Sequence, residues 1–127
     1  MAFQRSKLES FTAPASLKKI GANAFEYCGE LKYADFSACT LKSWNGYDSF
    51  SKNIFADCPL ESIVLPPTLQ VIGKRAFAGL KSLKFVTLGD NSELEEIADG
   101  AFFGCGIESF VAPPKLKKMG DLAFGDC

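Results

Sequence analysis

A phenylalanine preceded by Ala or Ile returns six times along the chain, at Phe3, Phe25, Phe55, Phe77, Phe102 and Phe124. The steps between them are 22, 30, 22, 25 and 22 residues, and an aliphatic residue follows each of the first five by five or six positions, at Leu8, Leu31, Leu60, Leu83 and Ile107. Self-similarity at this period means one supersecondary unit copied in series. Each copy can bury its apolar side only against its neighbours.

Unit length and pattern are those of a leucine-rich repeat. The clearest copy reads LESIVLPPTLQVIGKRAFAGLKS from Leu60; LESFTAPASLKKIGANAFEYCGE from Leu8 and IESFVAPPKLKKMGDLAFGDC from Ile107 match it, and looser copies begin at Leu31 and Leu83. These boundaries predict one array over residues 1–127, with repeats starting near 8, 31, 60, 83 and 107. Ala2-Phe3 reads as the stump of a preceding repeat and Cys127 falls just short of another leucine, so the chain is expected to be a piece of a longer array that pairs end to end through open strands. Within LESIVLP, alternation along an extended strand turns Leu60, Ile63 and Leu65 inward and Ser62 and Val64 outward. The second half of each unit, IGKRAF in the third copy, is expected to return over the back as a short helix or 3₁₀ turn. There the recurrent Phe forms a ladder of rings. Pro14, Pro66 and Pro113 fall at the strand exit, where a missing N–H harms no ladder, and Gly21, Gly73 and Gly120 are expected at sharp turns.

The pattern LxxIxLPxxLxxIGxxAFxxC, best seen over 60–80 and 8–28, resembles the BspA-like leucine-rich repeat class of bacterial and protozoan cell-surface proteins. The resemblance implies an α/β repeat fold: a right-handed solenoid with a parallel sheet on its concave side and short helices or 3₁₀ turns on its convex side. It also implies a cell-surface or extracellular protein that adheres to host matrix components or to other cells. Trp44-Asn45 stands in place of Ile-Gly, Leu80 and Ser6 in place of the cysteine, and Ser37 and Gly89 in place of the proline.

Copies one, three and five carry Glu-Ser after the leading residue, whereas copies two and four carry Lys-Tyr and Lys-Phe. A duplicated two-repeat unit accounts for this, since Leu8 to Leu60 and Leu31 to Leu83 are both 52 residues. Three columns follow. Glu9, Lys32, Glu61, Lys84 and Glu108 alternate in sign and are expected to set stacking order. Ser10, Tyr33, Ser62, Phe85 and Ser109 stand outward, and beyond them Thr12, Asp35, Val64, Thr87 and Val111. Exposed aromatics flanked by valines form the type of surface that binds a protein partner, so Tyr33, Asp35, Val64, Phe85, Thr87 and Val111 are candidate binding residues; the competing expectation is that Tyr33 and Phe85 cover neighbouring strands or each other. About six extra residues, 46–51, enter copy two. Their loop adds Tyr47, Asp48 and Phe50 as candidates.

Chemistry finds little to work with. The chain has no histidine, the commonest general base and metal ligand, and no phosphate loop, nucleophile elbow or zinc spacing. The acidic run Asp90, Glu93, Glu95, Glu96 and Asp99 lacks calcium-loop spacing and reads as a solvated face. No enzyme, cofactor or metal site is expected. A formal net charge of −1 from 14 basic and 15 acidic residues argues against nucleic acid as a partner, and no apolar run is long enough for membrane insertion. Cys28, Cys58, Cys105 and Cys127 share one repeat position and, with Cys39, are expected to be free thiols, four of them acting as small apolar side chains. The alternatives to a recognition module are a spacer that displays another domain and an intracellular scaffold.

Overall fold

The computed structural model describes residues 6–21, 24–47 and 53–127. Eight short strands build two parallel sheets. The first takes β1 (Ser10–Thr12), β2 (Tyr33–Asp35), β4 (Ser62–Val64) and β6 (Phe85–Thr87) in that order; the second takes β3 (Ser43–Trp44), β5 (Val71–Ile72), β7 (Glu96–Ile97) and β8 (Lys118–Met119). Coils two, three and four therefore each contribute a strand to the first sheet, cross to a strand of the second, round a corner and re-enter one step along the axis, whereas coil one pairs only in the first sheet and coil five only in the second.

Alternation works as the sequence predicts. Leu60, Ile63 and Leu65 are fully buried, while Ser62 and Val64 are partly exposed on the other face. Ala34 pairs with Ile63, and Ile63 with Val86, along the inward column. The phenylalanines form the expected ladder: Phe25 stacks on Phe55 at 5.2 Å, Phe77 on Phe102 at 5.2 Å and Phe102 on Phe124 at 5.2 Å. Only between Phe55 and Phe77 does the spacing widen, to 6.4 Å, and there the Trp44 indole packs 5.3 Å from Phe77. Trp44 pairs with Ile72 in the second sheet, as its place in the repeat requires.

The back of the coil departs from expectation. Among the described residues there is no helix; the stretch expected to be helical begins as a strand of the second sheet and continues as a turn through Lys74–Gly79. Two residues in the third and fourth copies suffice to bond to the copies on either side, with the second and fifth copies at the sheet's edges, and Val71 and Ile72 are β-branched side chains suited to a pleated surface. Neighbouring coils thereby satisfy each other's N–H and C=O groups without a helix.

The corners carry a further regularity. The residue before the shared cysteine position has positive φ in every copy: Tyr27 (60°), Asp57 (63°), Gly79 (81°), Gly104 (72°) and Asp126 (54°). Gly73 and Gly120, by contrast, are absent from the positive-φ residues. Their small size serves close approach instead: a Cβ on Gly73 would collide with Gly46 N and the Trp44 carbonyl of the preceding coil.

Thiols knit the corners together. Cys58 Sγ donates to the Phe25 carbonyl (2.9 Å), Cys105 Sγ to that of Phe77 (3.1 Å) and Cys127 Sγ to that of Phe102 (3.2 Å). All five cysteines are free, and Cys127 alone is exposed. Burial pushes the thiols of Cys58 and Cys105 up to about 12 from an ordinary 9.0.

Candidate functional site

The first sheet holds the candidate surface because its outward side chains are those that alternation leaves uncovered. Register places Ser10, Tyr33, Ser62 and Phe85 in one column and Thr12, Asp35, Val64 and Thr87 in the next. Both columns are those expected from the repeat alignment. The fifth member of each, Ser109 and Val111, lies beyond the sheet: β6 is its last strand, and residues 107–113 run on without strand pairing.

Tyr33 is 50 % exposed and Phe85 65 % exposed. They stand two strand spacings apart, about 9.6 Å, with the small Ser62 between them, and no ring contact joins them. The two aromatics therefore do not stack on each other, and Ser62 stands between them in the same column. Lys32 and Lys84 precede them along the strands and are exposed. Val111 is 88 % exposed.

Asp35 has a local duty. Its Oδ1 accepts the Ser37 N–H at 2.8 Å, and Ser37 stands where copies one, three and five have proline. Proline has no N–H to satisfy at this strand exit, whereas serine does. Asp35 thus caps the turn.

The inserted loop is only partly part of this picture. Tyr47 is half-buried against the apolar core rather than displayed at a tip, and its N–H donates to the Lys74 carbonyl at 2.7 Å. Burial raises its phenol above the usual range. Asp48 and Phe50 lie outside the described residues.

The alternating column behaves differently from its charges. Its members bond through the backbone, Lys32 N to Glu9 O (2.9 Å), Glu61 N to Lys32 O (2.8 Å) and Lys84 N to Glu61 O (2.9 Å), and its side chains form no ion pair. Cross-coil pairs occur instead on the second-sheet side, at Lys115–Glu93 (2.9 Å) and Lys117–Glu95 (3.4 Å). Two members of the acidic run are thus engaged with the next coil. A third, Asp99, accepts the Asp121 N–H through Oδ1 at 2.9 Å.

Sequence reading missed Asn53. It is buried, donates Nδ2–H to the Ala78 carbonyl (3.0 Å) and accepts the Phe55 N–H at Oδ1 (2.8 Å). The corresponding phenylalanines 25, 77 and 102 donate their N–H to the next coil's backbone; here a side-chain amide makes the bridge. Its position, two before the ladder phenylalanine, is also asparagine in copy one (Asn23) but Arg75, Gly100 and Leu122 in later copies, so the recurring Asn of the first two copies was the one signal that could have marked it.

Among the described residues, no group of His, Cys, Asp and Glu is placed to hold a metal ion, and no helix is long and apolar enough to cross a membrane.

Residues 48–127 match the family described as "BspA type Leucine rich repeat region (6 copies)". The chain belongs to this family. Its repeats form a module of the kind that generally serves in recognition between proteins rather than in catalysis. Among solved structures, the crystal structure of the pneumococcal vaccine antigen PcpA is similar, with a TM-score of 0.63 and 27 % identity over 93 % of this chain. The match spans 28 % of that antigen's chain. A leucine-rich repeat protein from Bacteroides ovatus aligns over 90 % of this chain and 45 % of its own, at 20 % identity and a TM-score of 0.40. No curated protein sequence matches significantly.

Proposed function

We propose that the chain is a non-enzymatic recognition module, one continuous repeat array of a cell-surface or extracellular protein, and that it binds a protein partner on the outward face of its first sheet. The observation that carries this reading is the pair Tyr33 and Phe85, in register on either side of Ser62 and each half or more exposed. Aromatic side chains offer large contact area at little entropic cost and dominate interface energetics. A side chain of the partner enters between the rings, with Val64 and Thr87 beside it and Asp35 and Lys84 supplying polar contacts at the rim. Matrix and host-surface proteins are the partners that the family resemblance and the likeness to a pneumococcal antigen support.

The test is binding of the reduced protein to immobilised matrix and cell-surface proteins, with Tyr33→Ser/Phe85→Ser beside it. Saturable binding that falls at least tenfold in a variant of unchanged circular dichroism supports the reading. Binding that the variant retains in full refutes it, and binding by neither protein favours a spacer.

A further inference from the structure

The second sheet stops one coil short. At its other junctions the pattern repeats: Gln70 and Val71 N donate to Lys42 O and Gly73 N to Trp44 O; Glu95 and Glu96 N to Gln70 O and Ala98 N to Ile72 O; Lys117 and Lys118 N to Glu95 O and Gly120 N to Ile97 O. By repeat alignment, Lys42 and Ser43 N should donate to Lys18 O and Asn45 N to Ile20 O. None of these bonds forms, and β3 is an edge strand. The two coils nevertheless stay joined elsewhere, through β1–β2 in the first sheet and through Phe25 N to Ile54 O and Tyr27 N to Ala56 O at the corner.

Between the parted backbones lies a cleft of about 590 Å³, lined by residues 17–21 of one coil and 40–45 of the next, with Tyr47 and Ile54 behind them. Its walls present Leu17, Ile20, Leu41 and Trp44 within and the exposed Lys18, Lys19 and Lys42 at its mouth; among the described residues no carboxylate lines it. Facing rows of unpaired N–H and C=O groups are a template for another strand. We propose that this cleft is a second binding site, which accepts an extended acidic segment of a partner protein as an inserted β-strand between the Lys18–Ile20 and Lys42–Asn45 backbones. The backbone groups fix the occupant as an extended chain. Three lysines, with no carboxylate of the described residues among the lining, set its sign, and the apolar wall selects alternating acidic and aliphatic side chains, because a strand presents successive residues to opposite faces.

The probe is the acetylated and amidated peptide Glu-Val-Glu-Val-Glu-Val, and Trp44, the chain's one tryptophan, reports from the cleft wall. Hydrogen exchange of the free protein should be fast at the Lys42 and Asn45 amides and slow at Gln70 and Gly73. Peptide should saturate a change in Trp44 fluorescence and slow exchange at Lys42 and Asn45. Replacing Glu by Lys in the peptide, or introducing Lys18→Glu/Lys42→Glu in the protein, should weaken binding roughly tenfold or more. A peptide N-methylated at alternate residues should bind at least tenfold more weakly. Slow exchange at Lys42 and Asn45 without peptide, no saturable signal at millimolar peptide, equal binding of the N-methylated form, or the same protection arising from self-association would each overturn the assignment.

Discussion

Truncating Phe77 to alanine tests whether the ring ladder holds the coils together. Phe77 is fully buried, stacks on Phe102 at 5.2 Å and 6°, faces Phe55 at 6.4 Å and packs on Trp44 at 5.3 Å. Loss of such a side chain costs about 3–5 kcal/mol. Three ring pairs at about 0.5–1.5 kcal/mol each put this site in the upper part of that range. Phe124 touches Phe102 at 5.2 Å and Phe110 at 4.8 Å and is only half-buried, so Phe124→Ala should cost about 1.5–3 kcal/mol. Phe77→Leu, which keeps most of the volume, should cost about 1.5 kcal/mol. Urea unfolding followed by circular dichroism and by Trp44 fluorescence measures all three. Coils contact only their neighbours, so losing the rung beside Trp44 should also separate the two probes, the tryptophan signal moving first. If Phe77→Ala costs less than about 2 kcal/mol, or no more than Phe124→Ala, the ladder is not what couples the coils.

Three further outcomes are expected. Asn53→Ala leaves the Ala78 carbonyl and the Phe55 N–H without the partners they have here, and should cost about 2–4 kcal/mol in the same unfolding assay; a cost below about 1 kcal/mol would show that water replaces the amide. Leu122 holds φ at 56° and is 63 % exposed, a conformation that costs a non-glycine residue about 1–2 kcal/mol, so Leu122→Gly should be neutral or stabilising, and a loss above about 1 kcal/mol would contradict it. The buried thiols make stability fall in alkali: Cys58 and Cys105 ionise near 12 when folded and near 9.0 when unfolded. Their contribution is complete below pH 9 and is lost as pH rises towards 12, by about 1.4 kcal/mol per thiol at pH 10. Cys58→Ala/Cys105→Ala should flatten that slope relative to the parent, and parallel slopes would refute the assignment.

Much of the architecture was legible because it rests on side-chain period. The ladder of Phe25, Phe55, Phe77, Phe102 and Phe124, the inward Leu60, Ile63 and Leu65, and the register that sets Tyr33 beside Ser62 and Phe85 all follow from counting residues along the repeat. The second sheet was not legible, since strands of two residues such as Ser43–Trp44 and Lys118–Met119 carry no periodicity and exist only because a neighbouring backbone pairs with them. Corner geometry was hidden for a related reason: Tyr27 and Leu122 adopt a glycine-like φ that their side chains do not advertise. Charge alternation misled for another reason. The column from Glu9 to Lys84 has the right signs, but long exposed side chains gain little from pairing in water, and its stacking is carried by backbone bonds instead. Of the candidate site, Tyr33 and Phe85 were visible from alternation, whereas the duty of Asp35 became visible only with the Ser37 N–H beside it.

The two sheets are offset along the axis. The first ends at β6 and the second begins at β3, so the central junctions are laced on both walls while the first and last are laced on one. Under tension along the axis, resistance is set by the junction with fewest parallel fastenings. A tether pulling through this chain would therefore peel an outer coil before shearing the middle, opening it like a door on its remaining edge, and the stretch bearing Tyr33, Ser62 and Phe85 would keep its shape longest.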